Sequence, residues 1–201
     1  DNDVYDNGAA GPLAGIGLYS AIGGAAGVQI ADNHTERNHI GILLHRVDHA
    51  RVERNLAAEN RTGISLVASH ANHLIENEAE DNTLFDGILL RSSSDNQVVE
   101  NQADGNARDG IRVGEDSIGN TFESNVLTDN EEHDVHDQSV GERTAGRANT
   151  WTENQCGKGS VPGLCDDADE DQSSVSLPFI LTVSFLLGGL TGRAPSRRAR
   201  R

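Results

Sequence analysis

Asn72-His-Leu-Ile-Glu-Asn77, Asn96-Gln-Val-Val-Glu-Asn101, Asn120-Thr-Phe-Glu-Ser-Asn125 and Asn149-Thr-Trp-Thr-Glu-Asn154 are four renderings of one phrase. Around them asparagine recurs at a fixed interval. Asn55, Asn77, Asn101 and Asn125 stand 22, 24 and 24 residues apart, and Asn60, Asn82, Asn106 and Asn130 repeat those intervals five places later. Glycine then opens a short apolar run in each unit: Gly41-Ile-Leu-Leu44, Gly63-Ile-Ser-Leu66, Gly87-Ile-Leu-Leu90 and Gly110-Ile-Arg-Val113. Self-similarity at a period of about 20–50 residues is the mark of a stacked repeat, in which no single copy buries enough apolar surface to fold alone.

Apolar positions come in twos and threes between Asn or Gly, which suits strands of about three to five residues joined by tight turns. Up to the acidic run at Asp166 there is no uninterrupted helical face. The pattern predicts an all-β solenoid of about six coils, each of ~23 residues, stacked ~4.8 Å apart. Like residues then lie over like. Ile42, Ile64, Ile88 and Ile111 form one apolar column, Leu44, Leu66, Leu90 and Val113 a second, and Val52, Leu74, Val98, Phe122 and Trp151 a third. Asparagine tolerates a left-handed backbone, so the reading places the Asn columns at the corners, their amides stacked inward as hydrogen-bonded ladders. The glycine supplies either a positive φ or a close backbone approach. A leucine-rich-repeat horseshoe shares the period but requires Leu-x-x-Leu-x-Leu spacing, and leucine is too sparse here for that.

These tandem units resemble those of right-handed parallel β-helix proteins, the pectin-lyase-like superfamily. Within it they are most similar to an asparagine-rich group that includes NosD-like copper-maturation proteins and carbohydrate-associated β-helices. The resemblance spans about residues 15–165 and concerns stacking rather than chemistry. It implies a right-handed parallel β-helix. The tail Asn149–Cys156, followed by Val161-Pro-Gly-Leu-Cys165, also resembles the last coil of secreted bacterial β-helix proteins.

Residues 1–30 read as irregular coils of a truncated N-terminus, 31–155 as the regular repeats, 156–165 as a cysteine-closed loop, 166–174 as an acidic linker, and 175–201 as an apolar segment with a basic tail. Cys156 and Cys165 are the only cysteines. Their glycine-rich loop favours a disulfide covering the edge of the last coil, over free thiols or a two-ligand metal site. Residues 175–192 carry no charge and are followed by five arginines. As a helix that stretch reaches ~27 Å, enough for a membrane anchor that would leave the repeats outside the cytoplasm. A formal charge of −16 excludes nucleic acid and anionic membrane surfaces as natural partners. It suits an exported, monomeric protein, either extracellular or periplasmic, and repels an anionic polysaccharide unless a basic strip or calcium bridges the two.

On a β-helix the outward residues of one sheet make a ridged strip suited to an extended sugar chain. Here that strip reads Leu43 and His45, Ser65 and Val67, Leu89 and Arg91, then Arg112 and Gly114, with His45 and Arg91 as candidate binding residues. Asp86 and Asp109, one coil apart, precede their glycines; His133 falls in the matching position of the next coil. Asp86, Asp109, Arg112 and His133 are therefore the candidate acid–base constellation, against the plainer reading that Asp before Gly makes a turn. A hydrolase would need two acids about 5–9.5 Å apart. The resemblance to NosD-like proteins turns attention to the eight histidines. His45, His49, His70 and His73 are the nearest to a copper cluster, although scattered surface histidine is the default and no cofactor, copper or calcium, is supported. The leading functional expectation is a non-catalytic surface protein directed at carbohydrate or another protein. Its rivals are a polysaccharide lyase, hydrolase or epimerase, and a copper-maturation accessory.

Overall fold

Each coil turns its corners with a two-residue device. At Arg54-Asn55, Glu59-Asn60, Glu76-Asn77, Asp81-Asn82 and Glu100-Asn101 the first residue takes a positive φ of 51–55° and faces solvent, while the Asn points inward and is buried. The sequence reading assigned the left-handed conformation to Asn; the structure assigns it to the residue before. The exposed residue makes the bend, at a cost of about 1–2 kcal/mol for a non-glycine side chain. Asn is thereby free to use both ends of its amide inside.

Those amides form the expected ladders. Asn55 Nδ2 donates to Asn77 Oδ1 at 2.9 Å, Asn77 to Asn101 at 2.9 Å, Asn101 to Asn125 at 3.1 Å and Asn125 to Asn154 at 2.8 Å. The Asn82–Asn106–Asn130 column repeats the pattern, ending on Asp134 Oδ1. Asn60 joins it through its backbone N–H, which donates to Asn82 Oδ1 at 3.0 Å. A third Asn column runs Asn72–Asn96–Asn120–Asn149. Beside it Ser69, Ser93 and Ser117 form a serine column in which each hydroxyl accepts the preceding backbone N–H. Every rung answers a buried polar group that would otherwise be unpaired.

A computed structural model describes residues 2–7, 14–19 and 27–166, all within the compact unit Asp1–Ala168. Its strands form three parallel sheets. One stacks Asp3–Tyr5, His34–Glu36, Leu56–Ala58, Glu78–Glu80, Gln102–Asp104, Val126–Thr128 and Gln155–Cys156. A second, with the longest strands and called the broad sheet below, stacks Ala14–Tyr19, Ile40–His45, Thr62–Val67, Ile88–Arg91, Asp109–Val113 and His133–Asp137. The third stacks Gln29–Ala31, Arg51–Glu53, His73–Ile75, Gln97–Val99, Thr121–Glu123 and Thr150–Thr152. The described parts of 1–30 thus supply one strand to each sheet. Register follows the sequence columns: Ile42, Ile64, Ile88 and Ile111 are successive partners, continued by Val135. These aliphatic columns are fully buried, and Phe122 stacks on Trp151 with ring centroids 3.8 Å apart.

The glycines act by close approach. A Cβ on Gly63 would lie 2.5 Å from Gly87 O, and one on Gly87 2.7 Å from Asn106 Nδ2. At the C-terminal end Cys156 and Cys165 form the expected disulfide, and the loop they close buries Leu164 against the core. The expected apolar anchor at 175–201 and nearly all of the acidic linker lie outside the described residues. Among the described residues no helix is long and apolar enough to cross a membrane.

Candidate functional site

The outer face of the broad sheet gathers the charged residues that the repeat does not need. Asp109 and His133 are register partners, as are Arg112 and His136. Asp109 stands three residues before Arg112, as His133 stands three before His136, and the contacts among the four side chains bring them together at the start of these two strands. Its carboxylate is fully buried. Oδ1 lies 2.9 Å from His133 Nδ1, and Oδ2 lies 3.0 Å from His136 Nδ1 and accepts from Arg112 Nη1 at 2.9 Å. Arg112 Nη1 is also 3.1 Å from His136 Nδ1, and its Nη2 donates to Gln138 Oε1 at 3.1 Å. The two imidazole centroids are 4.7 Å apart.

Asp109 is thus an orienting anion. Burial opposes its charge, yet hydrogen bonds from His133, His136 and Arg112 outweigh that and hold its carboxyl below the usual range. His133 Nδ1 meets no other partner than Asp109, so its proton sits on Nδ1 and the Nε2 lone pair is free to accept a proton. His136 Nδ1 faces both a donor and an acceptor.

Asp86 has the opposite fate. It is 2% exposed, and burial, reinforced by the neighbouring Asp109 charge, pushes its carboxyl up to about 6. Arg108 Nε, 4.0 Å from Asp86 Oδ1 and 3.5 Å from Glu132, relieves this only in part. Asp86 Oδ1 also accepts from Asp109 N at 3.4 Å, a bond to the next coil.

A groove of about 410 Å³ runs beside these groups, lined by Phe85, Asp86, Leu89, Arg91, Arg108 and Arg112 among others. A larger hollow of about 720 Å³ at the N-terminal end shares no residue with it and is lined by the solenoid's interior side chains Ile16, Leu18 and Val28. The groove, where charge and cavity coincide, is the better site.

The four sequence candidates are neighbours: Asp86 and Arg112 line the groove, while Asp109 joins Arg112 to His133 beside it and its backbone N–H reaches Asp86. Arg91 lines the same groove. His45 does not; it shares a column with Val67 and Arg91 but packs against Tyr19, 5.8 Å between centroids. Sequence reasoning missed His136, Arg108 and Gln138. His136 was accessible to it, because it continues the outward column Leu43–Ser65–Leu89–Arg112 by one more coil.

Among the described residues the one group at metal-ligand spacing is Asp109, His133 and His136, whose ligand atoms lie within 4.8 Å of one another. His45, His49, His70 and His73 are not gathered: His73 sits between Arg51 and Gln97, and His70 Nδ1 accepts from Ser94 N at 3.1 Å.

Three stacked parallel sheets, asparagine ladders and a charged outer-face site define a parallel β-helix protein. The chain belongs to the NosD family, described as periplasmic copper-binding protein (NosD), whose sequence model matches residues 1–159. Among curated proteins none matches it. It is similar to the crystal structure of the periplasmic alginate epimerase AlgG, with 26% identity and a TM-score of 0.52 over 68% of this chain and 37% of that one. A variant of AlgG matches 76% of this chain at 20% identity and a TM-score of 0.50. The chain spans between 24% and 37% of the AlgG structures it matches. Both the family and AlgG are periplasmic, which supports an extracellular or periplasmic location.

The donor set does not fit the family's copper. Arg112, a permanent cation, already sits between Asp109 and His136, where a bound ion would have to displace it. Both imidazoles direct Nδ1 at the carboxylate, the cysteines are in a disulfide, and the chain has no Met to serve as a soft ligand.

Proposed function

We propose that this protein binds a carboxylate-bearing polysaccharide along the broad sheet and moves a proton at the carbon next to the sugar carboxylate, as an epimerase or lyase does. The observation that carries this is the buried Asp109 holding His133, His136 and Arg112 around one point beside the groove, with Arg112 on its wall. Abstracting that proton builds negative charge on the carboxylate, so it requires a fixed cation and a neutral base side by side. Arg112 and Arg91 supply the cations; His133, with Nδ1 anchored and Nε2 free, is the base. Asp86, half-protonated near pH 6, is the acid able to return a proton. Hydrolysis fits less well, because it needs two working carboxyls and Asp109 is committed to His133, His136 and Arg112. The likeness to an alginate epimerase agrees with this reading, though this chain corresponds to only part of that enzyme.

The test incubates the protein with a panel of polyuronates in D2O. Deuterium appearing on the sugar by NMR, or an unsaturated uronate in the product, supports the proposal, and His133→Gln abolishes it. Binding without either product would favour the second reading, a display protein for such glycans.

A further inference from the structure

The histidine strand His133–Asp137 is the last of the broad sheet. One edge pairs with Asp109–Val113; the other meets the loop inside the Cys156–Cys165 ring instead of another strand. Lys158 O accepts from Asp134 N at 2.9 Å and from Val135 N at 3.3 Å, and Ser160 N donates to Val135 O at 2.8 Å. Asp137 N donates to Ser160 Oγ at 3.3 Å.

One side chain ties these parts together. Asp134 is 3% exposed and lies between the two histidines in sequence. Its Oδ2 accepts from Gly157 N and Lys158 N, each at 2.9 Å, and its Oδ1 accepts the last rung of an asparagine ladder, Asn130 Nδ2, at 2.9 Å. Lys158 Nζ closes the circuit on Asn130 O at 2.7 Å.

We infer that Asp134 is a positioning residue through which the disulfide-closed loop clamps the histidine strand and holds His133 and His136 against Asp109. A terminal strand paired on one side frays, because half its backbone groups have only solvent to bond. The ring, closed over a sequence separation of 9, keeps Gly157–Ser160 in place to pair the free edge. Asp134 accepts three N–H donors at once, which asparagine cannot do, since its Nδ2 would face a donor. A drift of about 1 Å in this strand is enough to break the imidazole contacts with Asp109 that set which ring nitrogen carries the proton.

The inference rests on the proposed site only for its importance; its test needs no substrate. Full-length protein labelled at histidine with 15N is compared with Asp134→Asn and with the double variant Cys156→Ser, Cys165→Ser. The expected result is loss of the hydrogen-bonded His133 Nδ1–H signal in both variants. The Asp134 and Val135 amides should also exchange at least about tenfold faster, with Ile64 and Ile88 unchanged as internal controls of folding. Persistence of the His133 signal and of strand protection in either variant overturns the clamp. Equal loss of protection at Ile64 and Ile88 also overturns it, since the loop would then serve stability alone. A protein inert toward every polyuronate can still pass this test, so the two proposals fail separately.

Discussion

Asp86 and Asp109 show how two residues of one type, one coil apart, acquire opposite roles. Asp109 has three cationic or polar donors and stays ionised; Asp86, buried beside that charge and helped only at a distance by Arg108 and Arg112, is pushed up to about 6. The raised Asp86 value means the folded state holds its proton more tightly than the unfolded chain does. Its penalty is absent below about pH 4 and grows as pH rises to about 6, reaching roughly 3 kcal/mol above that. Asp86→Asn should therefore remove a fall in stability between pH 4 and 6 and leave the protein more stable than wild type at pH 7. Urea denaturation at pH 4, 5.5 and 7 reads this directly, and an unchanged slope with pH would show Asp86 to be ordinary. At Asn101 the expected effect has the other sign. Replacing it with Leu orphans Asn77 N–H in the interior and takes one donor each from Leu74 O, Val99 O and Asn125 Oδ1. At about 1–3 kcal/mol for each orphaned group, melting should fall by roughly 10 °C, measured by circular dichroism.

At the scale of the element, a coil is set less by strand propensity than by what its corners allow. At the asparagine corners the left-handed residues are charged or small, and the following Asn carries the inward bond. Asn-rich periodicity made the ladders legible. It did not show which residue bends, because local sequence records preference, whereas the bend is assigned by which side chain finds a buried partner on the next coil. The glycines illustrate the same point. Nothing near Gly63 in sequence says that Gly87 O lies 2.5 Å from where its Cβ would stand. Gly63→Ala should push two coils apart and cost about 1–3 kcal/mol, seen as a lower urea midpoint with unchanged m. The same substitution at Gly27, which among the described residues has no atom within 4 Å of its Cβ position, meets no such clash there but is strained by its φ of +74°.

On the scale of the whole molecule, an acidic chain presents a local cationic patch. The net charge is −16, yet Arg91, Arg108 and Arg112 line one groove with Asp86 as the acid among them. A polyuronate should therefore bind through this patch and be repelled elsewhere. Its affinity should fall steeply as salt rises from 0.05 to 0.5 M in titration calorimetry, as the screening length shortens from about 14 Å to about 4 Å, and Arg91→Ala with Arg108→Ala should flatten that dependence. The sequence by itself determined the solenoid, its period, its apolar columns, the ladders and the disulfide, because each coil repeats its neighbour and like residues must stack. It also put Asp86, Asp109, Arg112 and His133 in one neighbourhood, for the same reason of register. Only the tertiary structure decided that Asp109 is an anchor rather than an acid, that His136 joins His133, and that a loop beyond the repeats holds their strand. Those outcomes depend on burial and on contacts across the open end of the stack, where periodicity stops and no copy exists to predict the next.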